Sequence, residues 1–208
     1  LWYRLCGLSE TGAFIINNAN CFISILLVFG LVLLLFDSSR AGLMGALSLA
    51  IVPMYTLWSN TAAVEPTTAG AAALCMLLWL LFIKHETGSL LFLAMMITVF
   101  AMQFRMESMM LLPMVALTLA LFRVRTFAEI RFWLLALLAG LLLVPLCGHV
   151  LAVKDDAWGA MEQARFSLAH FRSNLPVNVR FYCTNEKFPL IVSLCALIGA
   201  VSPGRWKQ

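Results

Sequence analysis

Charge is scarce in this sequence. Asp, Glu, Lys and Arg supply 12% of its 208 residues, where soluble domains carry about a quarter. Ten acids and fourteen bases leave a net charge of +4, spread over many loops. No basic stripe gathers as a nucleic-acid surface requires, so no nucleic-acid partner is expected. Metal spacing is missing as well. The six cysteines (Cys6, Cys21, Cys75, Cys147, Cys183, Cys195) show no C-x-x-C or Cys/His pattern, and His85, His149 and His170 are scattered. That excludes an ordinary zinc site. A Gly-rich phosphate loop and a G-x-S-x-G elbow are both absent, which excludes P-loop and serine-hydrolase chemistry. The chain begins at Leu1 on "LWYRLCGLSETGAF", without the basic, apolar and small-residue zones of a signal peptide in order. It reads as an internal piece of a longer protein.

What is abundant is apolar sequence: 62% of residues, with a mean hydropathy of +0.95. It falls in blocks at 13–36, 43–59, 66–83, 89–104, 108–122, 132–153 and 188–201, and a transmembrane helix needs about 17–25 residues. The expected fold class is all-α: a polytopic membrane helix bundle of about seven transmembrane helices, with residues 1–208 forming a single membrane domain. Most cysteines and the eleven methionines sit in these runs and read as packing. A disulfide between Cys6 and Cys183 is open if they share a compartment. Trp2, Tyr3, Tyr55, Trp58, Trp133, Trp158 and Trp206 fall near the ends of the runs, as an aromatic belt would.

Loop charge sets the orientation. Placing 37–40, 84–89, 123–131 and 203–207 on the cytoplasmic side gathers Arg40, Lys84, Arg123, Arg125, Arg131, Arg205 and Lys207 there, which satisfies the positive-inside rule. The stretch 89–122 as one helix would be about 50 Å long, too long for a core of about 30 Å. Two short helices turning at "FRMES" fit better. No internal repeat is visible.

One external face then holds Glu65, Arg105, Glu107, Lys154, Asp155, Asp156, Glu162, Arg165, His170, Arg172, Arg180 and Lys187. Residues 157–172 carry an apolar stripe at helical spacing and suggest an external amphipathic interfacial helix, whereas "VNVRFY" (177–182) alternates and reads as extended. Glu65 precedes Pro66, which suits the first turn of a helix. Thr67 to Ala73 offer small side chains for close packing. Acids beside bases, opening onto lipid, suit a lipid-phosphate substrate. Arginine forks phosphate oxygens, and a carboxylate takes a proton from an attacking hydroxyl or helps hold a divalent cation. Each residue also has a plainer reading. Glu65 can simply favour a helix N-terminus, Arg105 and Glu107 can form a structural ion pair, and the loop charges can be solvated.

The order of "LCGLSETGAFIINNANCFISILL", "ALSLAIVPMYTLWSNTAAVEPTTA" and "FAMQFRMESMMLLPMVAL" resembles GT-C glycosyltransferases, in particular the protein-mannosyltransferase branch, glycosyltransferase family 39. The likeness rests on Pro53, Trp58, Ser59, Glu65, Arg105, Glu107 and Pro113, and covers roughly residues 5–122. It implies an inverting transfer of a sugar from a polyprenyl-phosphate carrier to a glycan, lipid or protein acceptor, on the non-cytoplasmic face of a multi-pass integral membrane protein (the plasma or inner membrane in a bacterium). Glu65 then matches a secondary acidic catalytic position. Arg105 and Glu107 become substrate-binding candidates, Arg105 either for the carrier phosphate or for orienting Glu107. The family's principal aspartate, in the first external loop, has no equivalent here, so a fragment lacking that loop is expected. A small-molecule transporter and a non-catalytic scaffold are the alternatives; transporters commonly show paired repeats, which this chain lacks.

Overall fold

A computed structural model describes residues 10–59, 61, 64–153, 168–184 and 189–194. In chain order they form α1 (Glu10–Phe36), α2 (Ser39–Ala50), α3 (Pro53–Ser59), α4 (Glu65–His85), α5 (Gly88–Met102), a 3-10 turn (Met106–Met110), α6 (Leu111–Phe122), a second 3-10 turn (Val124–Ala128), α7 (Ile130–Val153) and α8 (Leu168–Tyr182). No strand occurs among the described residues, as an all-α bundle requires.

Local chemistry sets the boundaries. Ser38 caps α2 by accepting from the Ala41 N–H, and Thr87 caps α5 by accepting from the Leu90 N–H. The chain turns into those caps through Asp37 and Glu86, at φ 49° and 55°, a left-handed conformation that non-glycine residues rarely adopt. The run 43–59, expected as one span, is broken. Pro53 cannot continue the backbone hydrogen bonding of α2, and α3 departs from α2 at 67°.

Helices α1 and α4 run parallel, because Asn20 meets Thr67, Ser24 faces Gly70 and Gly30 faces Leu77. Helices α2 and α3 return along α1. Gly42 and Gly45 let them lie against Phe29 and Val32, and the Tyr55 hydroxyl reaches the Cys21 carbonyl. Helix α5 runs back along α4, its Thr98 at the centre of the larger core. Thr98 Oγ1 accepts from Trp79 Nε1 at 3.0 Å, donates to the Ala94 carbonyl at 2.7 Å and lies 3.1 Å from Cys75 Sγ. These groups, with Leu91, Leu111, Val115 and Leu119, are buried.

On α1 the buried face is small or polar and the exposed face apolar. Ala13, Asn17, Cys21 and Ser24 of α1 point inward, while Phe14, Ile15, Phe22 and Ile23 point out. That is the pattern of helices whose surroundings are lipid tails, where small residues pack at the helix contacts. Among the described residues three helices, α1, α4 and Ile130–His149 of α7, are long and apolar enough to cross a membrane, and the bent pair α2–α3 makes up to four. The expected number of about seven exceeds this. Helices α5 and α6 are shorter apolar helices, at 15 and 12 residues. Nevertheless they run the length of α4 in opposite directions, since Arg105 contacts one end of it and Arg123 the other. This matches the turn expected at residues 105–107.

Other expectations need correcting. Residues 177–182 are helical, within α8. An extended stretch needs a partner for its backbone groups, and none lies among the described residues, whereas a helix satisfies its own. Tyr55 is buried, not part of a belt, while Trp58 and Trp133 are exposed as expected. Cys183 is a free, exposed thiol; Cys6 lies outside the described residues. Of the interfacial stripe, residues 157–167 lie outside them too, and so does most of 188–201.

Candidate active site at the head of helix 4

Helix α4 starts at Glu65 because Pro66 follows it. The proline ring presets helical φ, and the N–H it lacks has no intrahelical acceptor in the first turn. Val64 offers no side-chain cap. Its carbonyl accepts from both the N–H and the hydroxyl of Thr68, at 2.9 and 3.0 Å. The Glu65 carboxylate therefore stands at the positive end of a 21-residue helix.

Arg105 arrives from the other side. It sits in extended backbone (φ −151°, ψ 146°) between the end of α5 and the 3-10 turn, and this conformation throws its side chain across to α4. Arg105 Nη1 donates to Glu65 Oε1 at 2.7 Å. The two side chains remain 37% and 29% exposed, within reach of a substrate. A pair this open adds only about 0–1 kcal/mol to stability, so the fold gains little from keeping it.

Helix α1 supplies a third element, which sequence reasoning missed. Asn18 Nδ2 donates to the Ser59 carbonyl at 3.2 Å and to the Phe14 carbonyl at 2.9 Å; Asn17 Nδ2 donates to the Thr61 carbonyl; Asn20 Nδ2 donates to Thr67 Oγ1 at 2.6 Å. The signal was available: three amides within four residues of an otherwise apolar helix, where unpartnered polar groups are costly.

The structure thus brings Glu65 and Arg105 together. The Glu107 backbone lies in the 3-10 turn two residues on, and its side chain falls outside the described set. Arg172 and Arg180 are exposed on α8 and not paired with Glu65. Lys154, Asp155, Asp156, Glu162, Arg165 and Lys187 lie outside the described residues, as does the side chain of His170. Among the described residues no group of three or more His, Cys, Asp or Glu converges as a metal cradle, and the Glu65 carboxylate is engaged by a guanidinium.

The far end of α4 is different. Arg123 donates to the Ile83 carbonyl through Nε and Nη2, both at 3.1 Å, and pairs with Glu86. A cleft of about 310 Å³ opens there, lined by Phe82, Glu86, Gly88, Leu91, Phe92, Glu129, Arg131, Leu134 and Leu135. The basic loops around residues 37–40, 84–87 and 123–131 gather at this end, about 30 Å from Glu65 at 1.5 Å per residue of α4.

A family model described as dolichyl-phosphate-mannose-protein mannosyltransferase matches residues 1–149, a stretch that contains Glu65, Arg105 and Glu107. The chain belongs to this mannosyltransferase family. No curated protein and no solved structure matches it. As a member of the mannosyltransferase family it is a membrane glycosyltransferase of the GT-C type and an integral membrane protein.

Proposed function

We propose that this chain transfers a hexosyl or pentosyl unit from a polyprenyl-phosphate carrier to a glycan, lipid or protein acceptor, on the non-cytoplasmic face of the membrane. The Glu65–Arg105 pair forms part of the site. The observation that carries this reading is the 2.7 Å contact between those side chains, partly exposed at the end of α4 remote from the basic loops. Positive loops favour the cytoplasm, so the pair faces the other side.

In the transfer, the acceptor hydroxyl attacks the anomeric carbon from the side opposite the carrier. The bond from that carbon to the phosphate oxygen breaks, and the carrier phosphate leaves with the electron pair. The hydroxyl proton passes to a carboxylate, a step in which Glu65 acts from the secondary acidic position of the site. Arg105 suits the leaving phosphate, because a guanidinium presents its donors in a planar fork that spans two anions. Glu107, two residues on in sequence, is the proposed contact for the sugar or acceptor.

The test is replacement of Glu65 and Arg105 in the full-length protein, reconstituted with a polyprenyl-phosphate sugar. Glu65→Ala and Arg105→Ala lower transfer by about a hundredfold or more, with membrane insertion unchanged. Arg105→Lys, which keeps the charge but not the fork, restores part of the loss. Wild-type transfer by both alanine variants would remove the site assignment.

A further inference from the structure

We infer that the asparagine run of α1 is a positioning device for Glu65, with Asn20 its principal member. The inference rests on the reading of Glu65 as the acting carboxylate. The three amides bracket that residue in sequence and in space. Asn18 and Asn17 hold the carbonyls of Ser59 and Thr61, upstream of it, and Asn20 holds the Thr67 hydroxyl, two residues downstream.

Close helix packing alone does not call for this arrangement. Small residues provide it, and one turn further along, Ser24 against Gly70 already does so. An asparagine on a helix can also satisfy itself on the preceding turn, as Asn18 does through Phe14. Here the amides reach instead to the one connection that carries the carboxylate. The start of α4 has no side-chain cap of its own. Its first turn is therefore fixed from α1, while the Glu65 side chain is fixed from the α5 side by Arg105. Two helices that do not carry the carboxylate together determine where it stands.

Of the three contacts, Asn20 to Thr67 bears most directly on Glu65. It joins two side chains, and it falls within the same helical turn as the carboxylate. Breaking it frees the first turn of α4 to shift. A displacement of about 1 Å at a reacting group costs on the order of a hundredfold in rate.

The experiment compares Asn20→Ala, Thr67→Val and the double variant with Glu65→Ala, in full-length protein reconstituted with lipid-linked sugar. Turnover is scaled to folded protein measured by thermal unfolding. We expect kcat to fall by about 10- to 100-fold in either single variant, with KM for the donor unchanged. The double variant should be no worse than the more severe single one. Three results would overturn the inference: wild-type kcat in both singles, losses that multiply in the double, or losses that match the drop in folded protein. The Glu65→Ala arm separates the two ideas. Full activity there removes the reading of Glu65, and with it this inference. A large loss there with normal Asn20 and Thr67 variants removes only the positioning role.

Discussion

Replacing Gly70 with alanine tests the close approach of α1 and α4, on which the placement of Glu65 depends. A Cβ at Gly70 falls 2.7 Å from Ser24 Oγ, well inside an ordinary contact. Ser24 is 1% exposed and donates to the Asn20 carbonyl at 2.7 Å, so relief has two routes. Turning the hydroxyl aside forfeits a hydrogen bond, about 1 kcal/mol. Pushing the helices apart costs about 1–3 kcal/mol. Against either stands the gain of about 1 kcal/mol from exchanging glycine for alanine inside a helix. The net effect is a loss of about 0–2 kcal/mol. In a Ser24→Ala background the obstructing oxygen is gone, and the next atoms lie at 3.8 and 4.0 Å. There the same substitution should stabilise by about 1 kcal/mol. The sign reverses between the two backgrounds. Reversible unfolding in mixed micelles, titrated with SDS and followed by tryptophan fluorescence, measures all four proteins. Equal stabilisation by Gly70→Ala in both backgrounds would refute the close approach.

Two further predictions concern the larger core and the topology. Thr98→Val leaves the Trp79 N–H without its acceptor and should cost about 1–2 kcal/mol. The cost should shrink in a Trp79→Phe background, and equal costs in both would show that the contact contributes nothing. In a cysteine-free background, single cysteines at Val64 and Gln103 should react with an impermeant thiol reagent from one side of sealed vesicles, and one at Lys84 from the other. Labelling of positions 64 and 103 from opposite sides would break the proposed site.

Where a helix begins was legible when a residue with a specific backbone role stood there. Pro66 placed the start of α4 correctly at Glu65, and the polar break at residues 105–107 separated α5 from α6. Composition also reported the membrane character, because the excess of apolar residues is what the exposed faces carry. Hydropathy was blind to two features. It joined 43–59 into one span although Pro53 divides it, since a window average does not register one missing N–H. It also missed the asparagines of α1, whose amides are averaged away among isoleucines and leucines. The Glu65–Arg105 contact was anticipated only as a shared face. Sequence proximity related Arg105 to Glu107, whereas its contact with Glu65 arises because an extended residue at the end of α5 aims its side chain at the neighbouring helix. Distance along the chain carried no information about that direction.

The amides of α1 also bear on how the protein is made. Asn20 and Thr67 are 47 residues apart, so Asn20 is synthesised well before its partner. At about 5–20 residues per second the wait lasts roughly 2–10 seconds. During it, the Asn20 amide must do without the Thr67 hydroxyl. The contact between α1 and the first turn of α4 is therefore completed only once α4 has been made.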